Sequence, residues 1–176
     1  MSDLTIERAT TTAAASVIGL LDAAATWQPR HGIDMWEPGT FEEDVRQTIE
    51  NGDLYVADRD DAIVGCFMLD DGSPRMTQWL LDQGREPSKG VVGRLVVARN
   101  AAGRGLGLQL LHHAERLARA EGISFLRLEC PSNDERLRRY YVGAGFTYCG
   151  DNDLPGANAE PWVSSVYERP IAADGP

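Results

Sequence analysis

Three glycines, Gly103, Gly105 and Gly107, alternate with other residues between the apolar run Val91–Val97 and an amphipathic segment at 105–121. The first N–H groups of a helix have no partner within the helix, and its aligned peptide dipoles place partial positive charge there. Such a terminus binds phosphate oxygens, and glycine lets the backbone approach a ligand without a Cβ in the way. Residues 102–108, here called the glycine turn, therefore predict a phosphate-binding site.

The spacing in the glycine turn separates it from two other phosphate loops. Leu108 stands where a dinucleotide-binding fingerprint beginning at Gly103 needs its last glycine, and a Gly-Lys-Ser/Thr Walker sequence is missing from the chain. The alternative is a turn that only connects a strand to a helix. We expect three glycines in the first turn of this helix, each costing about 0.5–1 kcal/mol relative to alanine, which favours the functional interpretation.

The elements that must position this turn form a mixed α/β pattern. Alternation and apolar runs predict strands at 4–8, 54–58, 62–69, 91–97, 124–129, 146–149 and 162–168. Helical spacing predicts helices at 12–27, 40–50, 105–121 and 134–144, and Thr40 with Glu43 predicts a capping box. Between 70 and 90 we expect turns and only a short helical stretch at 79–81. The strand–helix–strand unit after residue 91 should be parallel and right-handed.

Two stretches resemble one family, the GCN5-related N-acetyltransferases (GNAT). Residues 102–107 are similar to its Gln/Arg-x-x-Gly-x-Gly/Ala motif, and residues 133–146 to its Asn…Leu-Tyr-Glu-x-x-Gly-Phe pattern. Ala102 departs from the first motif, where Arg104 can supply positive charge instead. The resemblance implies a GNAT-like acyl-CoA N-acyltransferase fold, in which helices flank a mixed central β-sheet, and acetyl-CoA as co-substrate.

The resemblance also implies which residues bind the coenzyme. The pyrophosphate would lie on the amides of Arg104, Gly105, Leu106, Gly107 and Leu108, and the pantetheine arm along Leu95, Val96 and Val97 as an added strand. The family asparagine falls on Asp134, with Asn133 beside it, so which of the two faces the coenzyme stays open; Tyr140 is a further candidate for this contact.

Tyr141 is the predicted acid, because the family tyrosine falls on it when counted back from Gly145 and Phe146. A phenol can protonate the thiolate that leaves when an amine attacks a thioester. The pKa of a tyrosine is about 10 and that of a thiol about 8.5, so proton transfer from the phenol to the thiolate is reasonable. The alternatives are that Tyr140 is the acid or that both tyrosines only pack. A backbone N–H near Val96 would stabilise the oxyanion.

The sequence offers several candidates for the base that removes a proton from the amine. An alkyl amine has a pKa of about 10.4, so it is mostly protonated at about pH 7 and must lose a proton before it attacks. Glu129, at the end of a predicted strand, is the first candidate, and an ion pair with Arg127 or Arg94 is the alternative. His31, Asp34, Glu37 or a water-mediated route remain open.

The acceptor site is expected in a loop of unusual composition. Trp27, His31, Asp34 and Trp36 lie close together there, and the alternative is a hydrophobic plug over the core. The loop 150–161, with its acidic residues, is a second candidate wall.

Charge and composition narrow the classes of function that remain. The net charge of −10 and pI of about 4.7 argue against nucleic-acid binding. No membrane span, secretion signal or metal-ligand spacing is apparent, so we expect a cytoplasmic protein without a metal. Cys66, Cys130 and Cys149 are expected to be reduced thiols.

These observations predict a single domain over 1–171 with a loose tail at 172–176. The predicted activity is direct acetyl transfer from acetyl-CoA to a primary amine of a small molecule or peptide in a ternary complex. The alternative is a degenerate member that senses coenzyme A without turnover. The resembling family often forms dimers, so a homodimer is an open alternative.

Overall fold

The computed structural model describes residues 4–33, 35–154 and 163–172. Within these residues the strands are β1 Thr5–Arg8, β2 Leu54–Arg59, β3 Ala62–Asp70, β4 Val91–Val97, β5 Phe125–Pro131, β6 Thr147–Asn152 and β7 Ser164–Pro170. The α-helices are α1 Ala14–Trp27, α2 Glu42–Asn51, α3 Pro74–Asp82, α4 Leu106–Ala120 and α5 Glu135–Gly143. Short 3-10 turns lie at Thr11–Ala13, Gln28–His31 and Arg99–Ala101.

The strands form one seven-stranded sheet in the order β1-β2-β3-β4-β5-β7-β6. β4 and β5 are parallel, with Val91 opposite Arg127, as the strand–helix–strand pattern predicts. β1 with β2, β2 with β3, β5 with β7 and β6 with β7 are antiparallel. The predicted fold class, a mixed sheet flanked by helices, is confirmed.

The chain divides into two compact units. The first unit comprises residues 1–69 and 94–114, and the second comprises residues 70–93 and 115–176. The core of the first unit includes Val17, Leu21, Phe41, Leu54 and Cys66. Met76, Trp79, Leu80 and Val166 pack together in the second unit. The single domain over 1–171 stays a prediction, and the tail lies outside the described residues except for Ala172.

The capping box predicted at the start of α2 is wrong. The N-cap residue is Phe41, and no side chain caps this helix. The Thr40 hydroxyl donates instead to the Glu37 carbonyl at 2.7 Å. Threonine side chains often bond to nearby backbone in this way, which competes with the capping geometry.

Helix α3 is longer than the short stretch predicted at 79–81. The Ser73 hydroxyl accepts a hydrogen bond from Met76 N at 3.1 Å, and Pro74 occupies the first turn. A serine cap followed by proline is a standard helix start. The polar composition of the region hid this signal, although Met76, Trp79 and Leu80 form a buried face.

Candidate active site

The glycine turn is built around two left-handed residues. Gly103 has φ 77° and Gly105 has φ 76°, a conformation that costs an L-residue about 1–2 kcal/mol. The first helical bond of α4 runs from Gln109 N to Gly105 O at 3.2 Å. The N–H groups of the three residues before Gln109 therefore have no partner within the helix.

The sequence predicted that all three glycines lie in the first turn of the helix, and this is wrong. Helix α4 begins at Leu106, so only Gly107 bears the cost of glycine in a helical turn. Gly103 and Gly105 are required for a different reason, the left-handed backbone that leads into the helix.

The outer face of the glycine turn is open. A Cβ added to Gly103 or Gly105 would meet no atom within 4 Å. Arg104 is exposed, whereas Leu106 is 2% exposed and anchors the start of the helix. The open side of the turn therefore carries main-chain groups and the cationic Arg104 side chain. The buried Leu106 side chain holds the start of the helix on the core.

The strand that precedes this turn packs closely on β3. Ala98 N donates to Val64 O at 2.8 Å. A Cβ on Gly65 would lie 3.0 Å from the Val96 carbonyl oxygen, so only glycine fits there without displacing β4. The Val96 side chain is buried, and Leu95 and Val97 are half-buried.

Arg94 is the irregular residue of β4, with φ 47°. Its Nε and Nη2 donate to Asp44 Oδ2 at 3.0 and 2.9 Å. Its guanidinium lies 5.4 Å from the Trp36 ring centroid and 5.3 Å from that of Phe41. The arginine was visible within an apolar run of the sequence. Its partners, about fifty residues away, carried no local signal.

Two predicted acceptor residues, Trp27 and His31, lie together. Their ring centroids are 3.7 Å apart, and His31 Nδ1 lies 3.1 Å from the Trp27 carbonyl oxygen. The Arg99 guanidinium is 3.9 Å from the same Trp27 ring. The His31 ring and the Arg99 guanidinium would overlap if both lay on the same face of the indole. They therefore lie on opposite faces of it.

Trp36 belongs to a different cluster of the first unit. Its ring meets Phe41 edge-on at 6.0 Å and packs against the core. The predicted Asp34 lies outside the described residues.

In the second unit, Tyr141 is buried among other rings. It is 6% exposed and contacts Tyr140, Phe146 and Tyr167 at centroid distances of 5.4, 6.0 and 6.1 Å. Burial raises the pKa of its phenol above the ordinary value, and the neighbouring Cys130 raises it further. The hydroxyl is therefore protonated at neutral pH and able to donate.

The candidate coenzyme contacts on and before α5 lie in three different environments. Asp134 is the N-cap, and its Oδ1 accepts from Leu137 N at 2.9 Å. Asn133 is exposed, and Tyr140 is half-buried with a pKa that burial raises. Because its carboxylate caps the helix, Asp134 has a structural use.

Glu129 lies on β5 with two partners on the same oxygen. Its Oε2 accepts from Ser164 Oγ at 2.5 Å and lies 3.4 Å from Arg75 Nη1. The ion-pair partners predicted as alternatives were wrong, since Arg127 Nε donates to Glu168 at 3.2 Å and Arg94 pairs with Asp44.

Arg75, which the sequence reasoning missed, joins several segments of the second unit. Its side chain is 8% exposed and also donates to the carbonyls of Asn152 and Leu154 and to the Ser164 hydroxyl. The buried guanidinium therefore holds the end of β6, the start of β7 and Glu129 together. A proline-preceded arginine in a polar stretch gave no hint of these contacts.

The cysteines are free thiols, as predicted. Burial raises the pKa of both Cys66 and Cys130 to about 12, so neither ionises near neutrality. Cys149 is half-buried. Among the described residues, no helix combines the length and the apolar character that a membrane crossing requires.

The chain matches known proteins along most of its length. Residues 20–146 match the family model described as the acetyltransferase (GNAT) family. YesJ of Bacillus subtilis, named as an uncharacterized N-acetyltransferase, is 30% identical over 168 residues, covering 92% of this chain and 87% of YesJ.

Solved structures share the fold. A GNAT-family acetyltransferase from Listeria monocytogenes has a TM-score of 0.74 and 22% identity, covering 96% of this chain and 95% of that one. The structure of yncA from Salmonella typhimurium with its cofactor acetyl-CoA has a TM-score of 0.70 and 15% identity, covering 99% and 98%. The GNAT-like fold and the prediction of an acyltransferase enzyme are confirmed. The chain belongs to the acetyltransferase (GNAT) family.

Proposed function

We propose that the protein transfers the acetyl group of acetyl-CoA to a primary amine of a small molecule or peptide by direct attack in a ternary complex. The observation that carries this proposal is the open start of α4, preceded by the left-handed Gly103 and Gly105. Membership of an acetyltransferase family and the acetyl-CoA bound to the similar yncA structure support it.

The glycine turn supplies the donor site in this proposal. Its N–H groups, from Arg104 to Leu108, donate hydrogen bonds to the pyrophosphate oxygens, with Arg104 adding charge at the exposed rim. The pantetheine arm hydrogen-bonds to the main chain of Leu95–Val97. Asn133, Asp134 and Tyr140 are proposed as further coenzyme contacts.

The transfer proceeds through a tetrahedral intermediate. The neutral amine nitrogen attacks the thioester carbonyl carbon, and the Val96 N–H donates to the oxygen that gains charge. The carbonyl re-forms as the C–S bond breaks, and the Tyr141 hydroxyl donates its proton to the departing sulfur. The attacking nitrogen releases its extra proton to solvent, and solvent reprotonates the tyrosine.

Glu129 is proposed as the group that takes the amine proton. Its Oε2 accepts from Arg75 and Ser164, and Oε1 is the oxygen proposed to take this proton. Glu129→Gln should lower kcat by about a hundredfold, within the range of general-base catalysis. Ser164→Ala is the control, because it removes one hydrogen bond from the carboxylate and keeps the base. Equal, small losses in the two variants would exclude Glu129 as the base.

The acceptor is proposed to contact the first unit at Trp27, His31 and Trp36, with Asp34 as the fourth candidate. In the Trp27–His31 stack, the imidazole lies over the indole with ring centroids 3.7 Å apart. These side chains would orient the amine.

An acceptor screen tests the proposed function. Purified protein with acetyl-CoA is incubated with aminoglycosides, polyamines, amino acids and peptides with free N-termini, and release of free thiol is followed. We expect at least one class to give turnover. Binding of acetyl-CoA without thiol release for any amine would instead support a coenzyme A sensor.

A further inference from the structure

The backbone of β4 changes conformation at Arg94, directly before the residues proposed to receive the pantetheine arm. Its φ of 47° lies in the left-handed region, which a non-glycine residue rarely adopts within a strand. Such a conformation persists only when the surrounding contacts fix it. The contacts of Arg94 with the rest of the first unit therefore explain how the strand keeps this shape.

Those contacts come from three parts of the first unit. Asp44, in the first turn of α2, receives two hydrogen bonds from the guanidinium on one carboxylate oxygen. Trp36 and Phe41, from the segment before α2, present their rings to the same guanidinium. The Cys66 thiol on β3 donates to the Arg94 carbonyl at 3.6 Å. The residue is thus held at both its side chain and its main chain.

The cluster rests on one buried ring. Phe41 is 2% exposed, whereas the Arg94 and Asp44 side chains are 27% and 39% exposed. A guanidinium is planar and stacks on aromatic rings while it hydrogen-bonds in its own plane. Lysine offers only a point charge, so the arrangement depends on arginine.

We propose that Arg94 is a positioning residue for acetyl transfer: Asp44, Trp36 and Phe41 hold its side chain, and this maintains the left-handed turn that directs the main chain of Leu95–Val97. The inference rests on the proposed function, in which that main chain binds the donor and Val96 stabilises the oxyanion. Arg94 acts through the backbone and contacts neither substrate. Because Trp36 is also a proposed acceptor residue, one guanidinium links the acceptor segment to the donor strand.

A pair of substitutions at Arg94 separates the side chain from the backbone. Arg94→Ala removes the contacts and keeps the Cβ that disfavours a positive φ, whereas Arg94→Gly removes the contacts but adopts that φ freely. We expect kcat to fall about tenfold in Arg94→Ala and about threefold in Arg94→Gly, with the KM for acetyl-CoA changed less than twofold. Unchanged kcat in Arg94→Ala, or a glycine variant no faster than the alanine variant, would overturn the proposal.

Asp44→Asn tests the side-chain anchor and has a matched control. Glu43→Gln neutralises the neighbouring acid in the same first turn of α2, where Glu43 pairs with Arg46 instead. In the free protein, we expect Asp44→Asn to shift the ¹⁵N amide resonances of Leu95, Val96 and Val97 and to accelerate their hydrogen exchange. Glu43→Gln should leave these resonances in place.

This amide measurement needs no ligand, so it separates two kinds of failure. Unmoved amides in Asp44→Asn would refute the positioning role even if the enzyme acetylates amines. Moved amides, together with a wild-type protein that neither binds acetyl-CoA nor releases thiol, would refute the proposed function and leave the backbone role of Arg94 supported.

Discussion

The glycine turn and the surroundings of Tyr141 are the two proposed chemical centres, and they are built in opposite ways. The turn uses main-chain N–H groups on an open face, where a Cβ on Gly103 or Gly105 would meet nothing within 4 Å. Tyr141 is a side chain that is 6% exposed and surrounded by Tyr140, Phe146 and Tyr167.

The difference shows which property each centre needs. An anion site requires unpartnered N–H groups and space, both of which short-range backbone geometry provides. A proton donor requires a protonated hydroxyl, which tyrosine already has at neutral pH with its ordinary pKa of about 10, and burial raises the pKa of Tyr141 further. Substitutions in the turn should therefore change binding, and substitutions at Tyr141 should change turnover.

Of these two centres, Tyr141 carries the larger expected effect. Tyr141→Phe removes the hydroxyl and keeps the ring that packs against Phe146 and Tyr167. We expect kcat to fall by about a hundredfold, within the range of general acid catalysis, with the Kd for acetyl-CoA changed less than about twofold. Steady-state kinetics with calorimetric binding checks both values, and unchanged turnover would remove the acid assignment.

The next effect is at Gly105, with a control at the other end of α4. Gly105→Ala and Gly122→Ala both place alanine at a left-handed position, with φ 76° and 72°, in open space. Each should lower the free energy of unfolding by about 1–2 kcal/mol. Only Gly105→Ala should also weaken acetyl-CoA binding, by about tenfold. Equal affinities in the two variants would argue against the turn as the donor site.

A smaller effect is expected at Ala102, where the resembling motif has glutamine or arginine. Ala102 is exposed with an extended backbone, so a longer side chain can be added without displacing the core. Ala102→Gln should tighten acetyl-CoA binding about threefold, the value of one modest hydrogen bond. Unchanged or weaker binding in calorimetry would show that this position does not reach the donor.

The smallest expected effect concerns pH. Because the pKa of Tyr141 is raised, its acid form persists above the ordinary tyrosine value of about 10, and kcat should show no loss from phenol ionisation below that pH. Unfolding frees the phenol to ionise, so the contribution of this group to stability is full below about pH 10 and declines above it. A falling limb below pH 10 that disappears in Tyr141→Phe would contradict this.

The two centres also differ in how far the sequence could predict them. The glycine turn was predictable because its signal is local: glycines, a strand before and an amphipathic helix after. Even so, the helix begins at Leu106, and Gly103 and Gly105 serve its entry. Position within the α5 pattern predicted Tyr141 as the acid, but one of the three rings that bury it, Tyr167, lies on β7 and could not be inferred from that pattern.

The arginine contacts could not be predicted from local patterns. Arg94 with Asp44, and Arg75 with Glu129, join residues about fifty positions apart, so only the folded chain brings them together. The same reason explains the wrong partners proposed for Glu129. The capping box failed on a local competition, since the Thr40 hydroxyl bonds to Glu37 instead.

The proposed donor site depends most on the N–H groups at the start of α4, and an amide titration measures them directly. ¹⁵N resonances of the wild-type protein are followed as acetyl-CoA is added to saturation. We expect the amides of Leu106, Gly107 and Leu108 to shift strongly, while those at the end of the same helix, near Ala120, move little. Saturable binding that leaves the three amides unmoved would contradict the donor site proposed here.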